Sequence, residues 1–325
     1  MKKLCIIIIL LLGIKHMYGQ DVEFSQYYAN PLYLNPAFAG SDEYTRLSLN
    51  YRTILPTSFG DYSTYSASVD KYYDALSGGV GFQIMNDRQA QGLLNDLSLN
   101  LMYSYHAKLK KRWAVAAGFR IGYNIKSLNG QGLVYPDMID PVTGASESGM
   151  ESGISQKSLY FDFSFGLLTW YDNYYMGISV DHLTNPQISL GSDNPGIISR
   201  KYTIHGGMEI PFYNSLERVH MTLSPNVIFQ LQGGASKLNL GTYLNKNSLT
   251  IGIWAKTNTS FNFTGAVMML GYVGDIYTVA YSYDMPFYLN GLDNIISGAH
   301  EVTFLYKFMY KSKRKKIRAI KCPKI

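Results

Sequence analysis

From Tyr44 to Phe308 the chain is a succession of short segments in which every second residue is apolar, joined by connections that mostly alternate long and short. Strands whose side chains point in turn to lipid and to a polar interior produce that pattern, as does an up-and-down barrel with tight turns on one side and larger loops on the other. About fourteen strands can be placed. In the first, Leu47, Leu49 and Tyr51 oppose Arg46, Ser48, Asn50 and Arg52. In a later one, Leu97, Leu99, Leu101, Tyr103, Tyr105 and Ala107 alternate with Ser98, Asn100, Met102, Ser104 and His106. The next sets Trp113, Val115, Ala117, Phe119, Ile121 and Tyr123 against Ala114, Ala116, Gly118, Arg120, Gly122 and Asn124. A soluble sandwich also alternates, but its outward face would be polar. Here the large apolar residues hold one parity, and tyrosine and tryptophan gather near strand ends, where an interfacial girdle sits.

The connections predict an orientation. Tight or fairly tight links are expected at residues 72–77, 109–112, 171–173, 245–248 and 272–275, with a somewhat longer one at 211–217. Long links are expected at 53–62, 86–96, 126–157, 184–200 and 284–299, while 233–236 and 257–260 are short exceptions. Short turns belong to the periplasm and long loops to the outside. The reading is therefore an all-β, transmembrane antiparallel up-and-down β-barrel in the outer membrane, with both mature termini periplasmic and the long loops extracellular. The last strand ends on the aromatic face Val302, Phe304, Tyr306 and Phe308.

Residues 1–19 read as a secretory signal peptide. Lys2 and Lys3 precede an apolar run from Cys5 to Leu12 that is too short to span a bilayer, and Gly19 suits a cleavage site. Residues 20–43 form an N-terminal periplasmic or plug-like segment, in which Pro31 and Pro36 forbid a continuous helix. Residues 44–308 are the barrel, and 309–325 a basic periplasmic tail. The net charge of +6 is misleading, because eight basic residues lie in that tail and three in the leader, which leaves the body at about −5. The basic pI thus describes a tail and not a nucleic-acid-binding domain. Lys313, Arg314, Lys315, Lys316, Arg318 and Cys322 mark this tail as a candidate docking element. It could meet anionic lipid, an acidic protein patch, or nothing. Cys322 alone survives leader removal, so no intrachain disulfide is expected.

Reaction chemistry is scarce. No phosphate-binding loop, dinucleotide glycine fingerprint, HExxH or CxxC pair is present, and no cofactor is expected. His182 after Asp181 and His300 before Glu301 read as rim or girdle histidines in preference to members of a barrel-esterase triad. Asp137 and Asp140 in the longest loop read as solvated, since calcium needs several convergent oxygens.

The stretch Phe24-Ser25-Gln26-Tyr27-Tyr28-Ala29-Asn30-Pro31-Leu32-Tyr33-Leu34-Asn35-Pro36-Ala37-Phe38-Ala39-Gly40 closely resembles the opening of the PorP/SprF family, outer-membrane proteins of the type IX secretion system in Bacteroidota. Similar blocks are Tyr174-Tyr175-Met176-Gly177-Ile178-Ser179-Val180-Asp181-His182-Leu183-Thr184-Asn185-Pro186 and Tyr281-Ser282-Tyr283-Asp284, with Ser297-Gly298-Ala299-His300-Glu301-Val302 and Cys322-Pro323. One departure is Thr53-Ile54-Leu55-Pro56, where the family usually carries a tryptophan-containing loop. The resemblance implies a non-enzymatic role in export or surface retention of secreted proteins, such as gliding adhesins with a C-terminal sorting domain. It also implies association with periplasmic ring components. Gln26, Asn30, Pro31, Asn35, Pro36, Ala37, Gly40, His182, Pro186, His300 and Glu301 are its motif residues and candidate partner-facing positions. The alternative is an outer-membrane channel or transporter for small or hydrophobic solutes.

Overall fold

In lipid every backbone N–H and C=O needs an internal partner, and a sheet meets that demand only by closing on itself. Fourteen antiparallel strands do so in the computed structural model, which describes residues 21–42, 44–57, 60–110, 112–130, 155–190, 195–214, 219–259, 261–287 and 298–309. The first seven are β1 (Thr45–Thr57), β2 (Gly60–Tyr73), β3 (Gly78–Gln89), β4 (Leu94–Lys110), β5 (Trp113–Asn129), β6 (Ser155–Tyr171) and β7 (Tyr174–Asp181). Next comes β8, in two pieces, Lys201–Met208 and Ile210–Asn214. The rest are β9 (Val219–Gln232), β10 (Ala235–Lys246), β11 (Leu249–Thr257), β12 (Phe263–Val273), β13 (Tyr277–Pro286) and β14 (Ala299–Phe308). Each strand pairs with its sequence neighbours, and β1 pairs with β14 from Thr45↔Phe308 to Ile54↔Ala299, which closes the ring. A two-stranded ribbon, Gln187–Ile188 with Gly196–Ile197, stands in the connection between β7 and β8.

The alternating parity sorts the side chains as the sequence predicts. Leu49, Tyr51, Leu101, Phe119, Ile121 and Val302 face outward, with Leu101 60% exposed, while Arg46, Ser48, Asn50, Arg52, Ser104, Arg120, Glu301 and Thr303 are buried inside. Exposure of large apolar residues around the whole wall is what a lipid-facing surface requires. Tyr103, Tyr105, Trp113, Tyr171, Tyr174, Tyr272 and Tyr277 gather near the short turns on the outer face. Trp170 and Trp254 depart from the girdle expectation, for both are buried on the inner side.

Several expected loops are strand. The hairpin of β1 and β2 continues to Thr57 and Gly60, and a single 3-10 turn, Ala90–Gly92, joins β3 to β4. The apolar alternation stops at the edge of the lipid, but backbone pairing continues into water without it. So β4, β5 and β6 reach 17 residues each, beyond the about 9–11 that a crossing needs. Pro211, expected in a link, lies in β8, where it faces only Thr222 of β9. With no strand on its other side, its missing N–H costs no ladder bond. The short exception at 233–236 tightens to Gly233-Gly234, both at positive φ (55° and 82°), the conformation that a two-residue hairpin needs.

Candidate functional site

A barrel of this size has room inside for more than its own side chains, and here that room holds chain. Phe24 to Asn30 and Leu32, Asn35, Ala37, Phe38 and Ala39 are all 5% exposed or less. The segment starts at Asp21 beside Lys201, Gln232 and His182, at the end of the barrel that carries the long connections. It winds down the lumen and leaves at Gly40 beside Asp70 and Gly79, near the short turns. Asp21 and Phe308 therefore lie at opposite ends. This corrects the expectation that both mature termini share the short-turn side, because the ladder fixes where β14 ends while the first residues are placed by their charge contacts in the lumen.

An irregular segment cannot satisfy its own backbone, so the wall must do it. Wall hydroxyls donate to its carbonyls: Ser48 Oγ to Ala29 O (2.9 Å), Ser179 Oγ to Leu34 O (3.1 Å) and Ser104 Oγ to Ala37 O (2.9 Å). Wall carboxylates accept its N–H groups. Glu301 takes those of Ser25 (2.6 Å) and Gln26 (3.2 Å), and Asp70 takes that of Gly40 (2.8 Å). Two short turns, a four-residue helix Pro31–Leu34 and a 3-10 turn Pro36–Phe38, satisfy part of the rest. Each begins on a proline, whose absent N–H is no loss at a helix start. Asn35 caps the second turn by accepting from Ala37 N (2.9 Å), and its Nδ2 donates to Leu167 O and Ile178 O (3.2 Å each).

The remaining motif residues fall into place individually. Gln26 Nε2 donates to Ser282 Oγ and Glu301 O, and Asn30 bridges Ser66 and Gln83. Ala37 lies against Gly118, where a Cβ would sit 2.5 Å from Ala37 Cα. Pro36 packs near Gly166, and Gly40 adopts φ +66° against Gly79. Tyr28 is ringed by Tyr175, His205, Tyr243 and Trp254, with centroids 5.6–6.4 Å away. Pro186 is buried beside the loop ribbon, where its carbonyl accepts from Ile198 N. His300 is on the outer face with Tyr281 Oη at 2.7 Å, so it does not meet His182. The tail residues Lys313, Arg314, Lys315, Lys316, Arg318 and Cys322, and the loop pair Asp137 and Asp140, lie outside the described residues.

Charged residues that motif reasoning missed hold the upper part of the plug. Asp21 pairs with Lys201 and His182 (2.9 Å each), and His182 also faces Asp162 (2.9 Å). Glu23 pairs with Lys237 (2.8 Å) and Lys256 (3.3 Å). Arg52 joins Asp284 (3.0 Å) and Glu301 (3.3 Å), and Arg46 grips Asp70 near the exit. The available signal was an arginine on the inward parity of a strand, which is seldom buried unpaired.

Burial alone would lower the His182 pKa, but the charges of Asp21 and Asp162 outweigh it and push it up to about 10. Burial would likewise raise Asp21, yet Lys201 and then His182 hold it well below the usual carboxylate range. A raised histidine contributes fully below its unfolded value near 6.5 and loses that contribution as pH climbs through about 10. A depressed aspartate contributes fully above 3.8 and fails only as pH falls through its lower folded value. The mobility of a nitroxide on Val22→Cys, in a Cys322→Ser background, should therefore rise as pH approaches about 10. In His182→Gln that alkaline rise should be absent.

A closed barrel with an aliphatic, aromatic-girdled exterior and a lumen packed with its own N-terminal segment is an outer-membrane β-barrel of the internally plugged kind. The sequence matches the pattern of type IX secretion system membrane protein PorP/SprF over residues 16–306, and the chain belongs to that family. No curated protein matches it. Among solved structures it is similar to a Pseudomonas aeruginosa FadL homologue (11% identity, 85% of this chain and 93% of that one, TM-score 0.44). It is also similar to the P. putida toluene transporter TodX (11%, 85% and 93%, 0.48) and to BamA from Haemophilus ducreyi lacking POTRA domains 1–3 (10%, 80% and 70%, 0.39). Similarity at this level carries nothing about function.

Proposed function

We propose that this protein serves type IX secretion as a closed docking barrel, assisting export or cell-surface retention of secreted proteins such as gliding adhesins with a C-terminal sorting domain. One observation carries the reading: residues 21–42 fill the described lumen. Two crevices beside them, of about 20 and 30 Å³, have room for little more than a water molecule. A solute channel needs a continuous path, and a filled lumen favours a barrel that binds over one that conducts.

The assignment of faces follows from loop length. The connections at 126–157 and 184–200 lie outside the cell and hold cargo. The short turns face the periplasm, where the basic tail with Lys313, Arg314, Lys315, Lys316, Arg318 and Cys322 meets the ring of the secretion machine. The role is non-enzymatic. His182, the best-placed histidine, has a carboxylate at each ring nitrogen and stays protonated, so it is unsuited to act as a general base.

Replacing residues 187–197 by a short glycine–serine linker should sharply reduce surface display of a secreted adhesin while barrel levels in the outer membrane stay unchanged. Undiminished display in that strain, and in one shortened at 131–154, would remove the cargo-holding role.

A further inference from the structure

The charges around the plug's first residues form two separate groups. In one, His182, Lys201 and Arg120 face Asp162, Asp181 and Asp21. In the other, Lys237, Lys256 and Arg52 face Asp284, Glu301 and Glu23. Each group holds three cations, but the barrel wall supplies only two of its three anions. The third comes from the plug, Asp21 in one case and Glu23 in the other. Without those two carboxylates the wall at the long-loop mouth has more cationic than anionic side chains, with Lys201 beside His182 in one group and Lys237 beside Lys256 in the other, an arrangement that favours any anion able to fit.

We propose that this mouth is a receptor for an extended acidic peptide carrying carboxylates at alternate positions, occupied in this structure by the chain's own Asp21-Val22-Glu23. The two carboxylates are two residues apart in sequence and reach different stretches of the wall, Asp21 the end of β7 and the start of β8 and Glu23 β10 and β11, which sets the pattern that the ligand must reproduce. The occupying stretch is held mainly through its two carboxylates and only lightly through its backbone. Its described backbone contacts are Asp21 N to Gln232 Oε1 (3.1 Å) and Val22 O from the Tyr33 hydroxyl. Residues 21–23 are only half-buried, and the crevices that flank them are lined by Val22, Glu23, Lys201 and Gln230. From Phe24 onward burial is nearly complete and the wall holds the backbone. The first three residues can therefore lift out while the lumen stays shut below them. This receptor deepens the docking role and rests on it, since an exported protein approaching from the long-loop side would bring the competing segment.

Because the plug's start competes from the same chain, the apparent affinity is cut by the fraction of time that the mouth is free. Binding of a fluorescent Asp-Val-Glu-Phe peptide to the purified full chain in detergent is the test. The Asp21→Asn/Glu23→Gln variant should bind it at least about tenfold more tightly than the native chain, because its own start no longer competes by charge. The gain should vanish in high salt, and an Asn-Val-Gln-Phe peptide should not bind. Equal affinity of variant and native chain, or equal binding of the uncharged peptide, would overturn the receptor. If the double variant fails to form a heat-modifiable barrel, Glu23→Gln alone supports the same comparison. Deleting the whole gene and measuring secreted adhesin separates the two claims. Unaltered secretion with intact peptide binding would remove the docking role and leave the receptor, and the reverse pair of results would do the opposite.

Discussion

Replacing Gly118 by valine is expected to push the plug out of place and turn a silent barrel into a conducting one. Gly118 sits on the inner face of β5, and a Cβ there would lie 2.5 Å from both Ala37 Cα and the Pro36 carbonyl carbon. These are backbone atoms, which cannot swing aside as a flexible side chain would. The same turn is pinned on both sides. Gly166 leaves no room for a Cβ against the Asn35 side chain, and a Cβ on Gly79 would sit 2.5 Å from Gly40 Cα. Overpacking of a well-fitted site costs about 1–3 kcal/mol and sometimes more, and a backbone collision lies at the upper end. The wall is the more rigid partner, because its ladder runs through β4, β5 and β6, so the plug should yield. In planar bilayers Gly118→Val should show stable current steps, with the barrel still heat-modifiable. A silent Gly118→Val channel would mean that the 36–38 turn does not rest against β5.

The second large effect is expected at Arg52. Its guanidinium lies within 3.3 Å of Asp284 and Glu301, and Nη1 donates to Ser25 Oγ at 2.6 Å. Glu301 is fully buried and also accepts the N–H groups of Ser25 and Gln26. Arg52→Met keeps the bulk but leaves Glu301 without its described cation. Breaking a buried pair by removing one partner costs about 3–5 kcal/mol, because the charge left behind is uncompensated. Asp284 is partly protected, since Lys256 remains 2.5 Å away. The unfolding midpoint in denaturant should fall markedly, and Arg52→Met/Glu301→Gln should recover part of the loss. If the single and double variants were equally unstable, Arg52 would act through packing alone.

The wall of this protein was legible in its sequence because a strand repeats every two residues, and lipid and lumen impose opposite demands on the two parities. Leu101 and Ile121 outside, Asn100 and Arg120 inside, needed nothing more. Strand ends were less legible. Residues 53–54 and 86–89 pair as strand, although their side chains no longer need to be apolar above the membrane. The plug was visible as a segment, through its aromatic, asparagine and proline content, but its course was not. Which serine meets which carbonyl, and that Asn35 reaches between β6 and β7, depends on contacts up to 145 residues apart. Inward arginines announced that buried acids must exist, yet their partners Asp284 and Glu301 could be assigned only once β14 closed on β1.

The segment ahead of the first strand is part of the barrel's interior and not a tether beneath it. Hydrogen–deuterium exchange of the native chain in detergent tests this directly. Peptides covering residues 25–41 should exchange as slowly as those from β4 and β5, because these residues are nearly all buried inside the barrel and their described N–H groups are bonded either to wall carboxylates or within the segment's own turns. Full exchange of residues 25–41 within seconds, beside protected strands, would contradict the account.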